Sequence, residues 1–280
     1  MTQNNALDSQ WLIVSDLDGT LLDHYDYSHA PVDSLLRQLE LQRVPVILNT
    51  SKTSAEIREL RRELHNHHPF ISENGSAIFI PAGYFAEKPV NARESDGHWV
   101  IEPGFTRDRL LDYLRGDAQQ FGAPYLSFAT ASTDDIVAAT GLSAAQAQSA
   151  QQRSYSEPLL WRGSDEEREA FCRRAADAGL KTLQGGRFLH LLGPTDKGAA
   201  TRTLLECYRR DRGIEYRLIA AGDSANDLDM LEVADIAVIV RAPDRAPPEI
   251  AATPQRRVLK STEFGPAGWK EVIQPLFPSD

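Results

Sequence analysis

The chain has 280 residues, enough for one large or two modest domains, and 41% of them are hydrophobic, so a full core can be built. A net charge of −10 argues against a nucleic-acid partner, and no apolar run approaches the roughly 18 to 20 residues that a membrane-crossing helix needs, so no membrane partner is expected. Cys172 and Cys207 lack metal-binding spacing, which fits free thiols in a reducing cytoplasm.

Residues 1–10 are polar, without the basic-then-apolar form of a signal peptide, and predict a disordered lead-in. Residues 11–15 read as a buried strand, 32–41 as a helix with Leu35, Leu36 and Leu39 on one face, and 44–48 as a second strand. Residues 53–64 carry Ile57, Leu60 and Leu64 at helical spacing. Phe70-Ile71 and residues 77–80 flank Glu73-Asn74-Gly75, whose Asn-Gly pair signals a hairpin turn. Alternating strands and helices predict a doubly wound, Rossmann-like parallel sheet with right-handed crossovers.

The rhythm breaks after Pro81. Helices are expected over 106–121 and 143–152, and a strand over 156–161. Ser164-Asp165-Glu166-Glu167 is a capping box that opens a helix closed by Gly179. Strands follow over 180–183 and 188–192, around Gly185-Gly186. Residues 84–187 therefore read as an α+β insertion between two halves of an α/β core, 1–83 and 188–280. The alternation returns with a helix over 195–210, a strand over 217–221, a short helix over 224–233 and a strand over 236–240. A Pro-rich segment over 243–254 and a closing helix over 265–276 complete the chain.

Asp16-Leu17-Asp18-Gly19-Thr20 directly follows the first strand. Like charges that close raise each other's pKa unless a cation or a proton lies between them. The pair suggests a metal site, a nucleophile with a proton shuttle, or both. Gly222-Asp223-Ser224-Ala225-Asn226-Asp227 repeats the pattern after the 217–221 strand. Ligands of open α/β sheets bind outside the strands' carboxyl ends, so Asp16, Asp18, Asp223 and Asp227 are expected to converge. Oxygen ligands without His or Cys point to Mg²⁺. Asn49-Thr50-Ser51-Lys52-Thr53 puts hydroxyls where a strand meets a helix, a place for phosphate oxygens, and Lys197 opens a helix after another strand. Alone, a Ser/Thr pair of this kind is usually a helix cap and such a lysine a surface charge.

These four segments, in this order, resemble the haloacid dehalogenase superfamily of phosphohydrolases, over residues 10–82 and 188–280. The resemblance implies Asp16 as nucleophile, Asp18 as general acid/base, Thr50 as phosphoryl-binding hydroxyl and Lys197 as catalytic lysine. It implies a Mg²⁺ site made by Asp16, Asp18 through its carbonyl, and Asp223, with Asn226 and Asp227 orienting the metal and its waters. An α/β cap is implied between Thr50 and Lys197. Pro-Phe-Ile-Ser-Glu-Asn-Gly, Arg-x-Tyr-Ser-Glu-Pro and Gly-Gly-Arg-Phe-x-His are further similar to the mannosyl-3-phosphoglycerate phosphatase family. That likeness implies a sugar-phosphate substrate met by Ser51, Lys52, Glu73, Asn74, Arg153, Glu157, Arg187 and His190. Chemically, Arg153 or Arg187 suits a carboxylate, and Glu157, Glu73 and Asn74 suit sugar hydroxyls. A glucosyl-3-phosphoglycerate substrate, or phosphoryl transfer to a sugar as in a phosphomutase, stays open, as does a monomer or a homodimer.

Overall fold

The computed structural model describes residues 10–185 and 187–278, so the expected lead-in before Gln10 and the residue Gly186 fall outside it. In chain order the first half runs β1 (Gln10–Ser15), α1 (Asp33–Leu41), β2 (Val46–Asn49), α2 (Ser54–Glu63), β3 (Phe70–Ser72), β4 (Ala77–Pro81), β5 (Arg93–Ser95) and β6 (His98–Ile101). The middle holds α3 (Arg107–Phe121), β7 (Tyr125–Ser127), α4 (Thr133–Thr140), α5 (Ala144–Gln151), β8 (Ser156–Trp161), α6 (Asp165–Asp177), β9 (Lys181–Gln184) and β10 (Leu189–Leu192). The chain closes with α7 (Lys197–Arg212), β11 (Tyr216–Gly222), α8 (Leu228–Glu232), β12 (Ile236–Arg241), β13 (Arg257–Phe264) and α9 (Gly265–Ile273).

Nine strands form one sheet in the order β13-β12-β11-β1-β2-β3-β4-β6-β5, parallel from β13 to β3 and antiparallel beyond. Strand β1 shows why it lies at the centre. Trp11 and Ile13 enter the apolar cluster that includes Leu35, Ile57 and Trp269, whereas Leu12 and Val14 enter the one built on Ala200, Leu204 and Met230. Both faces of the strand are thus covered by helices, as a parallel strand requires. Strand order reverses at β1, with β2 on one side and β11 on the other, so the crevice at its carboxyl end is the switch point.

A second, four-stranded antiparallel sheet has the order β7-β8-β10-β9. Helices α3 and α6 pack on it through Leu110, Leu114, Phe171 and Ala175. By strand pairing, both expected boundaries move. The β5–β6 hairpin, inside the expected insertion, extends the large sheet, and β10, inside the expected core, belongs to the small one. Arg93–Ser95 and His98–Ile101 are too short and too polar for a strand signal, although Asp96-Gly97 turns between them. Among the described residues, no helix is long and apolar enough to cross a membrane. Both cysteines are free and half-buried.

Candidate active site

Register aligns the site. Ser15 pairs with Ala221 on one side and Leu48 on the other, and the Asp16 amide donates to the Ala221 carbonyl at 2.9 Å. The residues after each strand, Asp16, Asp223 and Thr50, therefore emerge side by side. Past Asp16 the chain folds into a tight loop in which the Leu17 carbonyl accepts from the amides of Thr20 at 3.0 Å and Leu22 at 2.9 Å.

Helix α7 delivers the lysine. Asp196 caps it, accepting from the Ala199 amide at 2.7 Å, and Asn49 Nδ2 donates to the Lys197 carbonyl at 3.0 Å and to Thr201 Oγ1 at 3.1 Å. Gly75 allows the close approach, because a methyl group there would lie 2.1 Å from the Asp196 carbonyl oxygen. The Lys197 side chain is fully buried. Its ammonium donates to Asp16 Oδ1 at 2.5 Å and to Asp227 Oδ1 at 2.7 Å. Burial pulls its pKa down, yet Asp16 and Asp227 hold it above the ordinary lysine value.

Asp227 is the most constrained carboxylate. Its Oδ2 accepts from the amides of Asp223 and Ser224, both at 3.1 Å, and a methyl at Gly222 would meet its Cβ at 2.4 Å. Asp16, Asp223 and Asp227 each bring an oxygen within 4.8 Å of the others. Burial pushes the Asp16 carboxyl well above the usual range, with Lys197 opposing and Asp227 and Asp223 adding to the shift. Burial and Asp227 push Asp223 up to about 7, against Arg245 and Lys197. Asp223 Oδ2 is buried and has no hydrogen-bond partner. Three carboxylates, one ammonium and an orphaned carboxylate oxygen fit a divalent cation with oxygen ligands.

Thr50 is buried beside this cluster. Its carbonyl accepts from the Asn74 amide at 2.9 Å and its Oγ1 from the Lys52 amide at 3.3 Å, which leaves the hydroxyl proton free. Asp18 is 39% exposed in its side chain and pairs through Oδ2 with Lys52 Nζ at 2.8 Å, while its Oδ1 is buried without a hydrogen-bond partner. Burial would lower the Lys52 pKa, but Asp18 and Glu56 raise it above the ordinary value. Asn74 Oδ1 accepts from Asn226 Nδ2 at 3.3 Å, joining the turn after β3 to the loop after β11.

The structure redirects several side chains expected to meet a substrate. Glu73 is buried and accepts from the Ser154 amide at 2.9 Å, the Tyr155 amide at 3.2 Å and Ser156 Oγ at 2.7 Å. It ties the small-sheet segment to the large sheet. Glu157 is equally buried, paired with Arg107 Nε at 2.7 Å and accepting from the Ala129 amide at 2.7 Å. Arg153 donates to the Ser51 carbonyl at 2.6 Å and to Ser156 Oγ at 3.1 Å, 3.5 Å from Glu73. These three are fastenings, because their charges are already matched by protein partners. His190 is buried, with Nδ1 unpartnered. Burial, with Arg153 and Lys197 adding to it, depresses its pKa to about 3, so the ring is neutral. Arg187 stays exposed and donates to the Ala139 carbonyl at 2.6 Å. Asn49, Arg107 and Tyr27, whose ring lies 4.9 Å from Lys52 Nζ, escape sequence reasoning. For Asn49 the signal was a polar residue ending an apolar strand.

A profile of haloacid dehalogenase-like hydrolases matches residues 13–94. The glucosyl-3-phosphoglycerate/mannosyl-3-phosphoglycerate phosphatase of Methanococcoides burtonii is 36% identical over 266 residues, spanning 95% of this chain and 96% of its own. This chain belongs to the haloacid dehalogenase-like hydrolases. It is a phosphoric monoester hydrolase. Its fold is shared with the sucrose-phosphatase of Synechocystis sp. PCC6803, solved with sucrose and phosphate. That likeness has a TM-score of 0.60 at 17% identity, over 95% of this chain and 97% of that one. A hypothetical protein from Geobacillus kaustophilus gives a TM-score of 0.62 at 17% identity, over 96% and 100%. In this phosphatase the carboxylate cluster lies at the sheet's switch point, and the four-stranded sheet is the cap.

Proposed function

We propose that this phosphatase is Mg²⁺-dependent and hydrolyses mannosyl-3-phosphoglycerate to mannosylglycerate and phosphate. The observation that carries the substrate is the end-to-end relative at 36% identity, whose name gives the mannosyl and glucosyl compounds together. That name also makes glucosyl-3-phosphoglycerate the second substrate to test.

Asp16 is the nucleophile in this reading. Lys197 holds one of its oxygens at 2.5 Å and leaves the other for phosphorus. Attack forms an aspartyl phosphate and expels the glycerate oxygen. Asp18 gives that oxygen its proton and then takes one from the water that cleaves the aspartyl phosphate. The Thr50 hydroxyl donates to a phosphoryl oxygen, and Lys197 offsets charge beside it. Asp16, Asp223 and the Asp18 carbonyl would hold Mg²⁺, which would supply the positive charge that lets an anionic carboxylate approach an anionic ester. Asp227 fixes Lys197 and the loop after β11, and Asn226 ties that loop to Asn74.

The test is phosphate release with Mg²⁺ across mannosyl- and glucosyl-3-phosphoglycerate, sucrose 6-phosphate and simple hexose phosphates. The mannosyl compound is expected to give the highest kcat/KM. A hexose phosphate exceeding both glycosyl phosphoglycerates by tenfold would refute the assignment.

A further inference from the structure

The cap stands on the large sheet through a stem and two footings. The stem is the pair of segments by which the chain enters and leaves the cap. They are pressed together, since a methyl group at Gly193 would lie 2.5 Å from the Phe105 amide nitrogen. The neighbouring Gly104 amide donates to the Ser76 carbonyl at 3.1 Å. A stem of two adjoining segments fixes where the cap sits but leaves it free to roll.

The footings lie in one row of the small sheet. Leu192 of β10 is in register with Ser156 of β8 on one side and Lys181 of β9 on the other. The ends of the row are therefore two strand spacings, about 10 Å, apart. Leu189 and Leu191 pack with α3 and α6, so the row belongs to the opposite face of the sheet. At one end Ser156 Oγ donates to Glu73 at 2.7 Å, within the buried fastening described above. At the other end Lys181 Nζ donates to Asp196 Oδ2 at 3.0 Å and to Asp229 Oδ2 at 3.3 Å.

Those two carboxylates belong to the catalytic floor. Asp196 caps α7 immediately before Lys197, and Asp229 lies in α8, two residues after Asp227. The two segments touch through their backbones, because a methyl at Gly198 would meet the Asp229 carbonyl oxygen at 2.1 Å. Among the described residues neither carboxylate has another ion-pair partner, so without Lys181 two like charges would face the outer strand of the cap. The Lys181 side chain is 33% exposed, which leaves this footing open to screening by salt, unlike the one at Glu73.

We propose that Lys181 is a positioning residue that fixes the roll of the cap over the crevice. A large ester, whose leaving group reaches the cap, then meets the cap's inner face at one setting, whereas a small ester is indifferent to it. The choice of mannosyl-3-phosphoglycerate as the large ester rests on the proposed substrate; the footing itself does not.

The test uses the full-length Mg²⁺-loaded protein with mannosyl-3-phosphoglycerate and with p-nitrophenyl phosphate. Lys181→Met is expected to lower kcat/KM for the mannosyl compound about fivefold, through KM, and to change that for p-nitrophenyl phosphate less than about 1.5-fold. Lys181→Arg, which keeps the charge, should restore most of the loss. The difference between wild type and Lys181→Met should shrink as KCl rises from about 0.05 to 0.5 M. Equal loss with both esters, or loss with neither, overturns the proposal. Should Lys181→Met fail to fold, Asp229→Asn decides: the same split, at about twofold, is expected, and no split contradicts it. Hydrogen exchange of the substrate-free protein adds a reading that no ester enters. The β9 amides are expected to exchange about fivefold faster in Lys181→Met with those of β1 unmoved, and equal exchange in β9 contradicts the footing. Faster β9 exchange without turnover of either glycosyl phosphoglycerate would sink the substrate assignment and spare the footing. Turnover of those compounds with the variant unmoved in rate and exchange would do the reverse.

Discussion

The rim of the large sheet and the cap use the same residue types for opposite ends. At the rim, Asp16, Asp223 and Asp227 are buried together with Lys197 as their shared cation, and Asp223 keeps an unpartnered oxygen. In the cap and at its junction, Glu73, Glu157 and Arg153 are just as buried, yet each meets protein donors or acceptors at bonding distance. A charged group that is buried and under-matched is poised for a ligand, whereas one that is buried and matched is a fastening. Burial alone does not separate the two. The inventory of partners does.

The sharpest way to break this contrast is Lys197→Met. It leaves Asp16 and Asp227 without their common ammonium, so turnover should fall by about 10² to 10³-fold. In chelator the protein should lose about 3 to 5 kcal/mol of stability, part of it recovered when Mg²⁺ is added. Denaturation with and without the metal, alongside steady-state rates, checks both. Retention of wild-type rate and stability would show the lysine to be a bystander.

On the cap side, Glu157→Gln and Glu73→Gln should each cost about 2 to 3 kcal/mol, because charge-assisted bonds to Arg107 and to the residues 154–156 are weakened. For Glu157→Gln the KM should move by less than about twofold, since no part of that carboxylate is spare. A raised KM with unchanged melting would return Glu157 to the substrate-binding residues.

These two outcomes mirror what the sequence could reveal. A carboxylate pair after an apolar run is costly in any fold, so Asp16 and Asp18 were readable without coordinates, and parallel alternation placed Thr50, Lys197 and Asp223 beside them. Glu73 and Glu157 carried no such mark. Their partners lie on other elements, Ser154 to Ser156 for Glu73 and Arg107 for Glu157, and local pattern does not pair residues that far apart. Strand membership failed for the same reason. Leu189–Leu192 is apolar whichever sheet it joins, and Arg257–Phe264 is an edge strand whose alternation is too polar to read.

A smaller effect follows from His190. Its pKa is about 3 in the fold against an ordinary 6.5, so the unfolded chain binds the proton first as pH falls. Stability is therefore fully present above 6.5 and is lost progressively toward 3. Between pH 7 and pH 5, His190→Gln should reduce the drop in unfolding free energy by about 2 kcal/mol. Equal pH dependence in the two proteins would mean that the ring is not buried as a neutral group.

The central claim is that the sheet's switch point makes Asp16 the phosphoryl acceptor. Acid quench of the Mg²⁺-loaded enzyme during turnover, followed by peptide mass analysis, tests it directly. A phosphoryl group on Asp16, absent from Asp16→Asn together with turnover, is the predicted result. Label on another residue, or Asp16→Asn turning over at near the wild-type rate, would contradict it.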